Sequence, residues 1–129
     1  MVYLGQKALQ QLIEAFNERN FEPGSMLFSD EVIIHYPGKN RVAGDHHGKS
    51  GMLDFWNKQI DLTGGSLKAE VLFALQGEGN LVLIMNITAE VDDQPYSWRR
   101  INHYRVVEGR VVEGWIYEGD QYTADKVFS

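Results

Sequence analysis

The sequence predicts an α+β domain in which a curved antiparallel sheet folds around a ligand pocket. Two amphipathic helical segments come first, and four long strand-like runs joined by short turns follow. That segregation, in place of strand–helix alternation, is what separates α+β from α/β. Strands of this length do not lie flat, so strong twist and curvature follow. At 129 residues, 43% hydrophobic and 23% charged, the chain has the size and composition of one globular domain with its own core. No linker, repeat or low-complexity tract divides it, so residues 1–129 read as a single domain.

Leu9, Leu12, Ile13 and Phe16 recur at i, i+3, i+4 and i+7, the signature of an amphipathic helix, and Pro23-Gly24 is expected to punctuate its end. Residues 31–36 form a short β-branched strand stopped by Pro37-Gly38. Gly44-Asp45-His46-His47-Gly48 reads as a glycine-bounded loop leading to a second helix over residues 50–61, closed by Thr63-Gly64-Gly65. Strands are predicted over residues 66–76, 81–91, 96–107 and 110–118. Their separators, Gly77-Glu78-Gly79-Asn80, Asp92-Asp93-Gln94-Pro95 and Glu108-Gly109, are turn chemistry, so consecutive strands pair as hairpins. A last helical segment covers residues 121–128.

Turn chemistry also fixes which side chains share a face. A type I′ loop at Glu108-Gly109 would force Glu108 to positive φ. A type I turn over Val107-Glu108 with Gly109 as the left-handed bulge residue avoids that strain. This choice pairs Val106 with Arg110, and sets Asn102 near Gly114, Arg100 near Ile116 and Trp98 near Glu118. Carried back through Asp92-Asp93, the register puts Leu83, Met85, Ile87 and Ala89 on the face that carries Trp98, Arg100, Asn102 and Tyr104. An apolar wall with a few placed polar groups is the composition of a ligand pocket. A core edge with a snorkelling arginine has the same composition.

Composition excludes several functions. Twelve Lys and Arg against 18 Asp and Glu give a net charge of −6, and Arg99-Arg100 with Arg105 is too sparse a basic patch for nucleic acid. With no cysteine there are no disulfides, thiolate metal sites or cysteine nucleophiles. The amino terminus lacks an apolar core of signal-peptide length and no apolar run approaches a membrane span, so an unexported, cytoplasmic chain without membrane partners is expected. No phosphate loop, dinucleotide fingerprint or serine elbow appears, and no cofactor is expected. His46 and His47 are sequence neighbours whose side chains diverge, so no metal site is assigned.

The runs 32–38 (Val-Ile-Ile-His-Tyr-Pro-Gly), 43–49 (Ala-Gly-Asp-His-His-Gly-Lys), 106–115 (Val-Val-Glu-Gly-Arg-Val-Val-Glu-Gly-Trp) and 119–122 (Gly-Asp-Gln-Tyr) resemble the SnoaL-like branch of the nuclear-transport-factor-2-like (ketosteroid-isomerase-like) superfamily. The resemblance spans essentially the whole chain. It implies a cone-shaped sheet wrapped by the amino-terminal helices, a deep pocket for a small molecule, and homodimers through the outer sheet face. Members include isomerases, polyketide cyclases, dehydratases, epoxide hydrolases and non-catalytic binders, and fold alone does not choose among them.

Carried over residue by residue, two of these chemistries fail. The steroid-isomerase base would fall in His35-Tyr36-Pro37, its oxyanion aspartate at Asn102 and its oxyanion tyrosine near Leu12, which donates nothing. An epoxide-hydrolase relay would need a base where Asn102 stands. The resemblance to polyketide cyclases points to Asp120 as an acid/base group; by itself Gly119-Asp120 also reads as a helix cap. His35 sits at the end of a strand with a side chain that titrates near neutrality, suited to proton transfer or to a structural hydrogen bond. The candidate catalytic residues are therefore His35 and Asp120. The candidate ligand-binding residues are Tyr36, Met85, Trp98, Arg100, Asn102, Tyr104 and Glu118. Two functions remain open: a cofactor-independent isomerase, cyclase or dehydratase acting on an apolar oxygenated molecule, and a non-catalytic small-ligand binder.

Overall fold

The computed structural model describes residues 3–129. Its elements run α1 (Gln6–Asn17), α2 (Phe21–Ser25), β1 (Phe28–Tyr36), β2 (Gly44–His47), α3 (Gly48–Leu62), β3 (Lys68–Gly77), β4 (Asn80–Val91), β5 (Gln94–Val107), β6 (Arg110–Glu118) and α4 (Gln121–Val127). The six strands form one unclosed sheet in the order β2-β1-β6-β5-β4-β3. Every neighbouring pair is antiparallel except β1–β6, which is parallel because the chain crosses from one side of the sheet to the other through α3. Register shifts at Val71/Phe73, at Arg105/Val106 and between Phe28 and Ile33 bend the strands they interrupt. The curved sheet holds the core on its inner face.

The helical stripe read from the sequence does pack. Leu12 and Phe16 are buried in the core with Leu9 against it. Pro23-Gly24 does not end that helix. The chain leaves α1 at Asn17, turns at Arg19 with φ 55°, and makes α2, in which Pro23 sits in the first turn where its missing N–H breaks no hydrogen bond. Gly24 serves packing: a Cβ there would lie 2.3 Å from the Cβ of Ala15 on α1. The glycine-bounded loop is in fact β2, an edge strand pairing Ile33 with His47 and Tyr36 with Gly44.

The turn at Glu108-Gly109 departs from expectation. Val107 pairs with Arg110, and Glu108 and Gly109 stand at φ 53° and 76°, a two-residue loop with both residues left-handed. Glu78-Gly79 and Asp92-Asp93 do the same. The expected Val106–Arg110 pairing is therefore wrong, yet the faces are right. Val112 is an extra residue on β6, so the register slips again before Arg105, which opposes Glu113. Turn and bulge together move the pairing by an even number of positions, so Arg100 lies opposite Glu118 and Asn102 opposite Ile116.

Candidate ligand-binding site

Trp98, Arg100, Asn102 and Tyr104 alternate along β5 toward the inner face, all buried, beside Leu81, Leu83, Met85 and Ile87 of β4. The second wall comes from α3. Its positions Met52, Phe55, Trp56 and Gln59 repeat at i, i+3, i+4 and i+7 and are all buried. Gln59 is the polar member of that stripe, a residue the sequence reading passed over. A glutamine on the buried face of an amphipathic helix was the available signal.

These walls bound a cavity of about 40 Å³ lined by Met85, Arg100 and Asn102 and by Phe55, Trp56 and Gln59, with Phe16, Phe21 and Arg19 also on its lining. Trp56 is wedged among aromatic rings, 5.3 Å from Phe16, 5.1 Å from Phe21 and 5.4 Å from Phe28. The guanidinium of Arg19 donates to the backbone carbonyls of Gly65 and Leu67 across the α3–β3 turn.

Behind the cavity lies a buried polar network. Arg100 donates through Nε and Nη2 to the two carboxylate oxygens of Glu118, at 2.9 and 2.8 Å, and through Nη1 to Gln59 Oε1 at 2.8 Å. The side chain of Arg100 is 5% exposed and that of Glu118 0%. This is the fork-on-fork geometry that a planar guanidinium offers and an ammonium cannot. Burial alone would weaken the guanidinium as a cation, but the charge and hydrogen bonds of Glu118 outweigh it and hold Arg100 firmly protonated. The Tyr36 hydroxyl donates to Glu118 Oε2 at 2.5 Å, and the Tyr36 ring lies 5.5 Å beneath the guanidinium carbon. Burial drives the Tyr36 hydroxyl well above the ordinary tyrosine range.

Asn102 Nδ2 donates to Tyr104 Oη at 2.8 Å. Burial raises Tyr104 as well, partly opposed by that bond. Asn102 Oδ1 and Trp98 Nε1 are buried with no hydrogen-bond partner among the described residues. Buried polar atoms are nearly always paired, so each orphan calls for an explanation.

The sequence-derived candidates thus divide. Met85, Arg100 and Asn102 line the cavity. Tyr36 and Glu118 stand behind it as supports for Arg100, and Trp98 and Tyr104 share the inner face without lining the cavity. His35 does not join them. Alternation along β1 turns Ile34 and Tyr36 inward and His35 outward, where it stacks 5.7 Å from Trp115. There its ring nitrogens meet Asp45 Oδ1 and Glu113 Oε2, each at 2.7 Å. Asp120 is not on the wall either. It is exposed at the start of α4, where its carboxylate accepts from the Thr123 N–H and hydroxyl; the hydroxyl bond above all holds it below the usual carboxylate range. Among the described residues no group of three or more His, Cys, Asp or Glu could hold a metal ion.

The profile of the SnoaL-like domain matches residues 9–114. The chain belongs to the SnoaL-like domain family. Its sheet and helices place it with nuclear-transport-factor-2-like and cystatin-like folds, as the motif resemblance implied. Bal32a, from a soil-derived mobile gene cassette, is 26% identical, with a TM-score of 0.88 over 95% of each chain. A Xanthomonas campestris protein with a cystatin-like fold is 17% identical, with a TM-score of 0.84 over 95% of this chain and 96% of that one. IdmH of Streptomyces antibioticus, a candidate polyketide cyclase, is 20% identical, with a TM-score of 0.71 over 93% and 96%. No curated protein matches the chain in sequence. No helix among the described residues is long and apolar enough to cross a membrane.

Proposed function

We propose that this SnoaL-like domain binds a small, mostly apolar molecule in the cavity between β4, β5 and α3, and that it does so without acid/base chemistry of its own. One observation supports this reading: the cavity is lined by an aromatic wall and a buried arginine, but by no carboxylate or imidazole. A proton-transfer enzyme needs a titratable group within hydrogen-bond reach of the substrate. His35 and Asp120, the sequence's two candidates, are committed to partners elsewhere. Arg100 is held by Glu118 and Gln59 and is a fixed donor whose function is orientation.

The alternative reading is a cofactor-independent isomerase, cyclase or dehydratase. Arg100 and Asn102, set side by side on β5 and kept from water, are the kind of preorganised donors that stabilise an enolate-like oxygen. That observation favours chemistry; the missing base disfavours it.

Trp56 lines the cavity and reports its occupancy. In a Trp98→Phe/Trp115→Phe background, small apolar compounds are expected to change Trp56 fluorescence saturably. A panel of such compounds without any saturable change overturns the binding reading. Solvent deuterium uptake at the α-carbon of a bound ketone, catalysed by the protein, replaces it with the enzymatic one.

A further inference from the structure

We propose that residues 18–23, the strap between α1 and the end of α2, form the entrance to the cavity, with Phe21 as its plug and Arg19 as the latch that holds it shut. Resting on the small-ligand reading above, this adds the route by which a ligand enters and the bonds that break first.

The size of the cavity requires an entrance of this kind. About 40 Å³ has room for ordered water and lies far below the roughly 300 Å³ at which pockets for organic ligands begin. A wall has to move before an organic molecule is bound. Two of the walls are fixed to each other. β4 and β5 are each paired on both sides, and Arg100 of β5 is bonded to Glu118 of β6 and to Gln59 of α3.

The strap is held differently. Glu18, Arg19, Asn20 and Glu22 are exposed, and Phe21 is half-buried. Both ends are anchored: Asn17 Oδ1 accepts from the Val71 N–H at 2.7 Å, and Gly24 is buried against Ala15 of α1. Between these anchors, among the described residues, Arg19 alone ties the strap across the cavity by hydrogen bonds. Its Nη2 donates to the carbonyl of Gly65 at 2.9 Å and to that of Leu67. The receiving turn is rigid. The Thr63 hydroxyl donates to the Gln59 and Ile60 carbonyls and accepts from the Leu67 N–H, and the Ser66 hydroxyl donates to the Thr63 and Glu90 carbonyls.

Release of the latch is cheap. Arg19 is at the surface, so opening exchanges two carbonyls for water and strands no buried charge. Its backbone stands at φ 55°, a left-handed position that a non-glycine residue disfavours. Arg19 and Phe21 both line the cavity, and the Phe21 ring lies 5.1 Å from that of Trp56. Swinging the strap outward therefore widens the cavity and uncovers Trp56, which is 5% exposed when the strap is shut.

The test uses Trp56 as the single tryptophan, in the Trp98→Phe/Trp115→Phe protein, with acrylamide as quencher and 1-hexanol as ligand. Arg19→Asn removes the guanidinium and supplies a residue that tolerates left-handed backbone, so the fold is kept. Acrylamide quenching should rise severalfold in this variant. Stopped-flow association and dissociation of 1-hexanol should speed up together, by about tenfold, with affinity nearly unchanged. Phe21→Ala removes the plug and should raise quenching with Arg19 in place, and Arg19→Asn should then add little to it. Quenching and rates unchanged by Arg19→Asn, or additive effects of the two substitutions, overturn the entrance and leave the small-ligand reading standing where 1-hexanol still binds saturably. Absence of a saturable response to 1-hexanol with and without the latch overturns both.

Discussion

Removing Arg100 would strand a buried partner. The Glu118 side chain is fully buried, and without the guanidinium its charge would keep only the Tyr36 hydroxyl. Arg100→Met conserves bulk but leaves that carboxylate uncompensated, and should lower unfolding free energy by about 3–5 kcal/mol. Adding Glu118→Gln to the same chain removes the stranded charge and should recover a large part of the loss. Urea denaturation of both variants checks this; additive losses would mean that the two side chains do not act as a pair. His35 is a residue-scale switch of a different kind. Its hydrogen bond to Glu113, then the one to Asp45, raise its pKa above the ordinary 6.5, while the bond to His35 lowers that of Asp45. The stabilisation from His35 is therefore complete below about pH 6.5 and fades as pH rises through the raised folded value, whereas that from Asp45 is lost as pH falls through its lowered one. Melting temperature should decline from neutral to alkaline pH more steeply in the wild type than in His35→Gln. Parallel curves would show that the imidazole is not charged in the folded protein.

Turns and bulges decide at the scale of elements what the strands alone leave open. Glu108 occupies a left-handed position that suits Asn or Gly far better. Glu108→Asn should raise stability by about 1 kcal/mol, read as a shift in denaturation midpoint at unchanged slope. Gly114 has the opposite sensitivity. It points inward on β6 beneath the Tyr104 ring, where a Cβ would come within 2.7 Å of the ring carbons and 2.9 Å of Ile34 Cδ1. Gly114→Ala should cost about 1–3 kcal/mol from overpacking. A neutral outcome would mean that the Tyr104 ring has room to shift.

The outer sheet face sets the expectation for the whole molecule. Phe73, Ile84, Ile101 and Tyr117 stand in one row across four strands, since each is paired with the next. Phe73 is 58% exposed, Ile101 38% and Tyr117 54%, with Leu75 of the neighbouring row at 59%. We propose that this apolar row on the outer sheet face is an interface, which a two-fold homodimer would bury on both copies. Trp115, on the same outer face, is partly covered between His35 and His103. Sedimentation at micromolar concentration should give a dimer for the wild type and a folded monomer for Ile101→Asp/Tyr117→Lys. A wild-type monomer would leave the exposed row without this explanation.

Two periodicities carried most of the architecture. The helical stripe from Leu9 to Phe16 and the alternation through β4 and β5 depend only on which side chains avoid water, so they were readable without a fold. The inward set Trp98, Arg100, Asn102 and Tyr104 followed for the same reason. It survived a wrong turn assignment because the error in register was even, and an even shift leaves every side chain on its face. What the chain could not declare was anything fixed by contacts between distant segments. The parallel β1–β6 pairing, the β2 edge strand and the bulge at Val112 are features of pairing between strands, not of any one strand's own pattern. Gln59 reaching Arg100 across 41 positions is likewise invisible to local pattern. His35 shows the limit most sharply. Its chemistry suited a pocket, but the pleat of β1 turned it to the outer face, and only the pairing of β1 with β2 and β6 brought Asp45 and Glu113 to its two nitrogens. Sequence determined which faces are apolar because burial is decided residue by residue; tertiary structure decided which polar groups meet because that depends on where the whole chain places its strands.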